Sequence, residues 1–369
     1  MAFSHLASSL VIFTLASSSL LFLQPRPTNA DTHISCPFNS IFNFGDSLSD
    51  TGNIILEKPI SAAATAFASL PYGETFFKRA TGRASNGRLI IDFIAQASGL
   101  PFLNPYLETD ADFTHGVNFA VSGATAMATE LLAEEDIIDP YTNSSLQVQL
   151  DWMSEFCKER DCMEKQKTTL FLLGEIGGND YNFAFVEGKS EQYVYGMVPG
   201  VVAEIISGVR VIISRGAVKV VVPGIFPNGC FPLYLSVFQT NNASAYDNQN
   251  CLKEFNTFAS YHNEKLQEAL QALKREYPEV VIVYGDYYRA FQWLFDNAVK
   301  LGFDGEKTQK ACCGMGGIYN FNLTNLCSSA VPVCSNPNRY ISWDGIHLTD
   351  AGYMRMAEWL IADILPQLQ

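Results

Sequence analysis

The chain has 369 residues, 48% hydrophobic and 17% charged, with a formal charge of −14. That apolar content excludes intrinsic disorder, which goes with few apolar residues and much charge. Lys and Arg total 24 against 38 Asp and Glu, so no nucleic-acid partner is expected, because phosphate binding needs a basic surface.

In chain order, Leu10–Leu23 is an apolar run broken only by small polar residues. At fourteen residues it is too short to cross a bilayer, which takes about 20. It fits the apolar region of a secretory signal, and Thr28-Asn29-Ala30 follows as a small-residue cleavage site. Residues 1–30 are read as a signal peptide and 31–369 as one domain. A membrane anchor is the alternative for this run. No later run reads as long and apolar enough to span, so no stable membrane association is expected once the signal is removed.

Five segments are apolar nearly throughout, as strands covered on both faces are: Ile41–Ser47, Val117–Val121, Thr169–Leu173, Val218–Val222 and Val280–Tyr284. Helical periodicity runs through Leu89–Ala97, Leu146–Arg160, Tyr193–Ser214, Asn248–Tyr277, Tyr288–Ala298 and Ala351–Leu365. The alternation implies one α/β domain with helices on both faces of a parallel sheet. Long connections at Tyr72–Gly87, Asn228–Asn248 and Gly302–Trp343 supply the length from which α/β scaffolds build their sites.

Secretion agrees with two further features. Asn143-Ser144-Ser145, Asn242-Ala243-Ser244 and Asn322-Leu323-Thr324 are glycosylation acceptor sequences. Nine cysteines (Cys36, Cys157, Cys162, Cys230, Cys251, Cys312, Cys313, Cys327 and Cys334) allow up to four disulfides and one thiol. Cys157 with Cys162 is the easiest local pair, and the cluster from Cys312 to Cys334 suits a stapled loop. A zinc site is disfavoured, since paired C-x-x-C spacing and a nearby His are missing.

The first strand leads into Phe44-Gly45-Asp46-Ser47-Leu48-Ser49-Asp50. Ser47 then sits at the carboxyl edge of the sheet, where open α/β folds place their sites. A helix starting just afterwards would aim free N–H groups at whatever Ser47 attacks. Ser49 stands where the G-x-S-x-G elbow has its second Gly. A nucleophilic Ser needs a base, for which His is the usual residue. His33 lies near the N-terminus, and His262 falls in a helix, read as on its solvated face. His115 has Asp112 three residues earlier but precedes a strand, which puts it at the amino edge. His347 has Asp344 three residues earlier and lies just before the last helix, on the side of Ser47. Gly345 permits a tight turn through which Asp344 can reach the ring nitrogen facing away from Ser47. On these residues alone, a helix-capping Ser47 and a surface His347 beside a turn Asp344 remain the alternative.

Oxyanion donors have two candidate sources. Gly123 follows the second strand in Val121-Ser122-Gly123-Ala124. Asn179 follows the third in Gly177-Gly178-Asn179-Asp180. Both also read as turn residues. Asp50-Thr51-Gly52 matches the aspartic-protease tripeptide, but a second copy and an all-β fold are lacking. Asp46, Asp50 and Asn53 do not have calcium-loop spacing, so no metal is expected. No G-x-G-x-x-G or Walker sequence follows the first strand, so no nucleotide cofactor is expected.

Four ordered blocks, FGDSLSDTGN, NFAVSGATA, GEIGGND and WDGIHLT, resemble the signatures of the GDSL esterases/lipases of the SGNH-hydrolase superfamily. The stretches PYGETFF, TGRASNGRLIIDFIA and CCGMGGIYN resemble the plant branch, nearest its acetylajmalan-esterase-like and sinapine-esterase-like members. The resemblance implies a three-layer α/β/α fold with a five-stranded parallel sheet in a flavodoxin-like arrangement. It implies Ser47 as nucleophile, Asp344 and His347 as acid and base, and the Ser47 N–H, Gly123 and Asn179 as oxyanion donors. No metal or organic cofactor is implied. Ser122 departs from a Gly common in relatives, and Leu348 from a Pro. The resulting expectation is a monomeric, secreted carboxylic-ester hydrolase of the apoplast or vacuole. It acts through an acyl-enzyme on a small-molecule ester, acetyl or short-acyl, of a plant specialised metabolite. An acyltransferase with the same triad and a lipase on longer acyl esters are the alternatives.

Overall fold

The computed structural model describes residues 38–369 apart from Asp161, Met163 and Glu164. The signal-peptide reading, His33 and Cys36 lie outside the described residues. Five strands form one parallel sheet: β1 (Ser40–Phe44), β2 (Gly116–Asn118), β3 (Thr169–Leu173), β4 (Lys219–Pro223) and β5 (Val281–Gly285). Every β1 and β3 residue is buried, as expected of strands covered on both faces. The order is β2-β1-β3-β4-β5, the flavodoxin-type arrangement. β1 pairs with β3 from Ser40↔Thr169 to Phe44↔Leu173, so their carboxyl ends finish side by side. The strand order reverses between these two strands, which opens a crevice at that edge.

The helices are α1 (Asn53–Leu56), α2 (Ile90–Ala97), α3 (Thr129–Glu134), α4 (Leu146–Arg160) and α5 (Gly178–Val186). They continue with α6 (Glu191–Ser214), α7 (Pro232–Val237), α8 (Lys253–Glu276), α9 (Tyr287–Asp296) and α10 (Asp350–Ile364). α4, α6 and α8 pack together on one side of the sheet, and α2, α9 and α10 on the other. The result is a three-layer α/β/α sandwich.

Three expectations are corrected. β2 stops at Asn118 rather than Val121: the Phe119 and Val121 N–H groups still donate to the Asn43 and Gly45 carbonyls, but side-chain amides take the other backbone groups. Asn53 Nδ2 donates to the Asn118 and Ala120 carbonyls, and the Ala120 N–H donates to Asn118 Oδ1. His262 is not on a solvated face but fully buried. It shares an i, i+3/i+4 stripe of α8 with Phe255, Phe258, Ala259 and Leu266. α6, with 24 residues, is long and apolar enough to cross a membrane by length and composition, contrary to the sequence reading. Its stripe from Val194 to Ile213 is buried in the chain's own core, against α8 and β3.

Among the described residues, four disulfides close the chain on itself: Cys157–Cys162, Cys230–Cys251, Cys312–Cys334 and Cys313–Cys327. The local pair and the stapled loop read from the sequence are both present. Asn143, Asn242 and Asn322 are all exposed.

Candidate active site

Ser47 lies three residues beyond β1, held by its neighbours rather than by its own side chain. The Gln149 amide on α4 pairs with both backbone groups of Gly45, at 2.9 and 2.8 Å. The Asp46 N–H donates to the Glu175 carbonyl beyond β3 at 3.0 Å. No helix begins directly after Ser47, contrary to expectation. A turn comes first, and α1 starts only at Asn53. Asp50 accounts for that turn, because its carboxylate accepts from the N–H groups of Gly52, Asn53, Ile54 and Ser122. Burial pushes its carboxyl up to about 6, against the pull of these donors.

At the same edge, the connection before α10 turns back on itself. Gly345 takes a φ of +98°, and the Phe321 ring lies where a side chain at that position would go. The tight turn lets Asp344 Oδ1 accept from the Ile346 and His347 N–H groups at 3.0 and 2.8 Å. Oδ2 accepts from His347 Nδ1 at 2.7 Å, and His347 Nε2 meets Ser47 Oγ at 2.7 Å. With its Nδ1–H on the carboxylate, the ring presents Nε2 as acceptor to the Ser47 hydroxyl. Burial pushes the Asp344 carboxyl up, but the imidazole charge and these hydrogen bonds outweigh it and hold it below its ordinary value. His115 is exposed at the amino edge, beside the Asn39 carbonyl. His262 bonds Tyr181 in the core, and burial lowers it to about 3. Neither shares the site.

Three further donors converge. Ser47 N–H and Gly123 N–H make no hydrogen bond among the described residues, whereas the flanking Asp46, Leu48, Ser122 and Ala124 N–H groups are all bonded. Gly123 has a φ of +94°, and an added Cβ would meet Tyr141. Asn179, at the start of α5, donates from Nδ2 to the Ala124 carbonyl at 3.1 Å and faces Asp46 Oδ2 at 3.5 Å. Asp180 next to it accepts from Ala126 and Met127 N–H, tying the Gly123 loop to α5.

Ser47, His347, Gly123 and Asn179 open into a cavity of about 210 Å³. Its apolar wall includes Phe67, Tyr141, Phe183, Val186, Leu323 and Leu326, the last two from the disulfide-stapled loop. Ser122 lines it with a buried hydroxyl that has no partner. A smaller space of about 50 Å³ adjoins Ser47 on its other side, beside Asp46, Glu175 and Tyr234. Among the described residues there is no cluster of metal ligands.

Sequence reasoning missed the supports: Gln149, Asp180 and Tyr72, whose hydroxyl donates to Asp344 Oδ2 at 2.9 Å. Gln149 had a signal, as a polar residue in the otherwise apolar stripe Leu146-Leu150-Met153.

A hydroxyl, an imidazole and a carboxylate in series, at the carboxyl edge of a flavodoxin-ordered sheet, form the arrangement that α/β enzymes of the serine-hydrolase type use. The family model for GDSL-like lipase/acylhydrolase matches residues 41–360, and the chain belongs to that family. It is 44% identical over 343 residues to acetylajmalan esterase 2 of Rauvolfia serpentina, covering 91% of this chain and 93% of that protein. A GDSL esterase/lipase of Arabidopsis thaliana is 46% identical over 333 residues, covering 88% of this chain and 85% of the relative. The chain is therefore a carboxylic-ester hydrolase.

Proposed function

We propose that Ser47 is the nucleophile, His347 its base and Asp344 the acid that fixes the imidazole. The observation that carries this reading is the unbroken series from Asp344 through His347 to Ser47, with both hydrogen bonds at 2.7 Å. Ser47 Oγ attacks the ester carbonyl while Nε2 takes its proton. Nε2 then passes that proton to the departing alcohol, which leaves an acyl-enzyme. Water, deprotonated by Nε2, releases the acid and restores the serine. The Ser47 and Gly123 N–H groups and Asn179 Nδ2 hold the oxyanion; the two N–H groups have no acceptor among the described residues, and the Ala124 carbonyl and Asp46 orient the amide, which supports that role.

The substrate is a small ester of a plant specialised metabolite, acetyl or short-acyl, a reading that rests on the similarity to the acetylajmalan esterases. A second reading, longer or bulkier acyl groups, is favoured by the apolar cavity of about 210 Å³, which is roomy for an acetyl methyl. The chain enters the secretory pathway, supported by four disulfides and three exposed acceptor asparagines.

Hydrolysis of p-nitrophenyl esters from acetate to palmitate, beside a folded Ser47→Ala variant, tests this. Turnover in the wild type and its loss in the variant are expected. Equal turnover in both would remove Ser47 from the mechanism, and the chain-length optimum decides between the two acyl readings.

A further inference from the structure

The connection Tyr72–Gly87 opens within PYGETFF, and nothing in the reaction so far uses that stretch. Its tyrosine is buried, and its hydroxyl donates to Asp344 Oδ2 across 272 positions of sequence. That oxygen is the one that holds His347 Nδ1. We infer that Tyr72 is a positioning residue of the acid–base pair, fixing Asp344 and setting how strongly its carboxylate holds the imidazole proton.

The surroundings favour this over simple packing. The Tyr72 ring meets Phe67 edge-on at 5.0 Å and Trp343 at 6.3 Å, and Phe67 in turn meets the His347 ring edge-on at 6.2 Å. Three aromatic rings therefore box the Asp344–His347 pair, and Tyr72 alone of them hands it a polar group. The Asp344 carboxylate has four donors: two backbone N–H groups on Oδ1, and the imidazole and the phenol on Oδ2. The other titratable groups facing this corner are Asp46 toward His347, and Tyr141 and Tyr353 toward Asp344. Among the described residues, no Lys or Arg bonds the Asp344 carboxylate. Burial, the Asp344 charge and the hydrogen bond all push the Tyr72 phenol well above its ordinary value, so it stays a donor throughout the working range.

A donor competing for Oδ2 draws negative charge from it. The proton that arrives during acylation therefore stays on the ring rather than passing to the acid, and the imidazole does not become too strong a base to release it to the leaving group. Without the phenol, Oδ2 bears more charge, the imidazolium is held harder, and the carboxylate loses one of the two contacts that orient that oxygen.

The inference rests on the triad reading above, and its test separates the two. In Tyr72→Phe the acidic limb of the kcat/KM profile, which reports the base, moves to higher pH. At the plateau kcat falls about ten-fold, the effect of losing one charge-assisted hydrogen bond, while KM stays within about two-fold. Site-specific 3-fluorotyrosine at position 72 keeps the ring, gives a stronger donor and moves the limb the opposite way. It serves equally if the Phe variant does not fold. Added to Asp344→Asn, Tyr72→Phe produces no further shift. A limb unmoved in both Tyr72 variants, with kcat unchanged, overturns the inference and leaves the phenol a packing group. Retained activity in Asp344→Asn and His347→Ala overturns the triad reading instead.

Discussion

Replacing Asn179 by Ala removes Nδ2 and leaves the α5 backbone in place. The amide is held by the Ala124 carbonyl and Asp46 rather than by solvent, so it is oriented before any substrate arrives. A preorganised donor of this kind contributes about 3 kcal/mol to the transition state, which is about 100-fold in kcat. The folded state loses the hydrogen bond to the Ala124 carbonyl at 3.1 Å and the longer contact with Asp46 at 3.5 Å, or about 1 kcal/mol and about 1–2 degrees of Tm. Steady-state kinetics with p-nitrophenyl acetate should therefore show kcat down by about 100-fold, KM within a few-fold and a nearly unchanged melt. A kcat within about three-fold of wild type would refute Asn179 as an oxyanion donor, and the burden would fall on the two backbone N–H groups.

Two predictions concern stability. Burial pushes the carboxyls of Asp139 and Asp180 up to about 7 and that of Asp50 up to about 6, so the folded chain binds these protons more tightly than the unfolded chain does. Their contribution is present in full below about pH 4 and is lost as pH rises through 6 to 7, so Tm at pH 5 should exceed Tm at pH 7.5. A Tm that climbs over that interval would contradict the assignment. Replacing Cys313 and Cys327 together by Ser opens a loop with a separation of 14 residues, at a cost of about 3 kcal/mol. Because Phe321 on that loop backs Gly345, ester turnover should fall together with the melting temperature, and undiminished kcat would show that the turn holds without the staple.

How much was legible depended on whether a feature was local. The β3 strand and the long helices carry their own period and were read to within a few residues. α5 escaped because Gly177-Gly178-Asn179 reads as a turn. The helix is short, and its stability comes from packing on α6 rather than from propensity. His262 reads as solvated from its neighbours Tyr261, Asn263 and Glu264, although its i, i+3/i+4 stripe is apolar; the fold buries it as a partner for Tyr181. At the site, Ser47, Asp344, His347, Gly123 and Asn179 were singled out because each follows a strand or precedes a helix at one edge. The structure brings four of them around one cavity and sets Asp344 behind the His347 ring. Tyr72 and Gln149 could not be found this way. Their partners lie 272 and 104 positions off, and only the fold makes them neighbours.

The separation of Ser47 from His347 by 300 positions also fixes when the enzyme can first act. The serine follows β1, and the imidazole lies in the turn before the final helix. With the proposed triad, a growing chain carries Ser47 for most of its synthesis without the imidazole that would take its proton. On that reading, reactivity toward esters waits until the turn before α10 has been made and folds against Ser47. On the same reading, a product truncated before Asp344 lacks both acid and base and would be inert rather than misdirected.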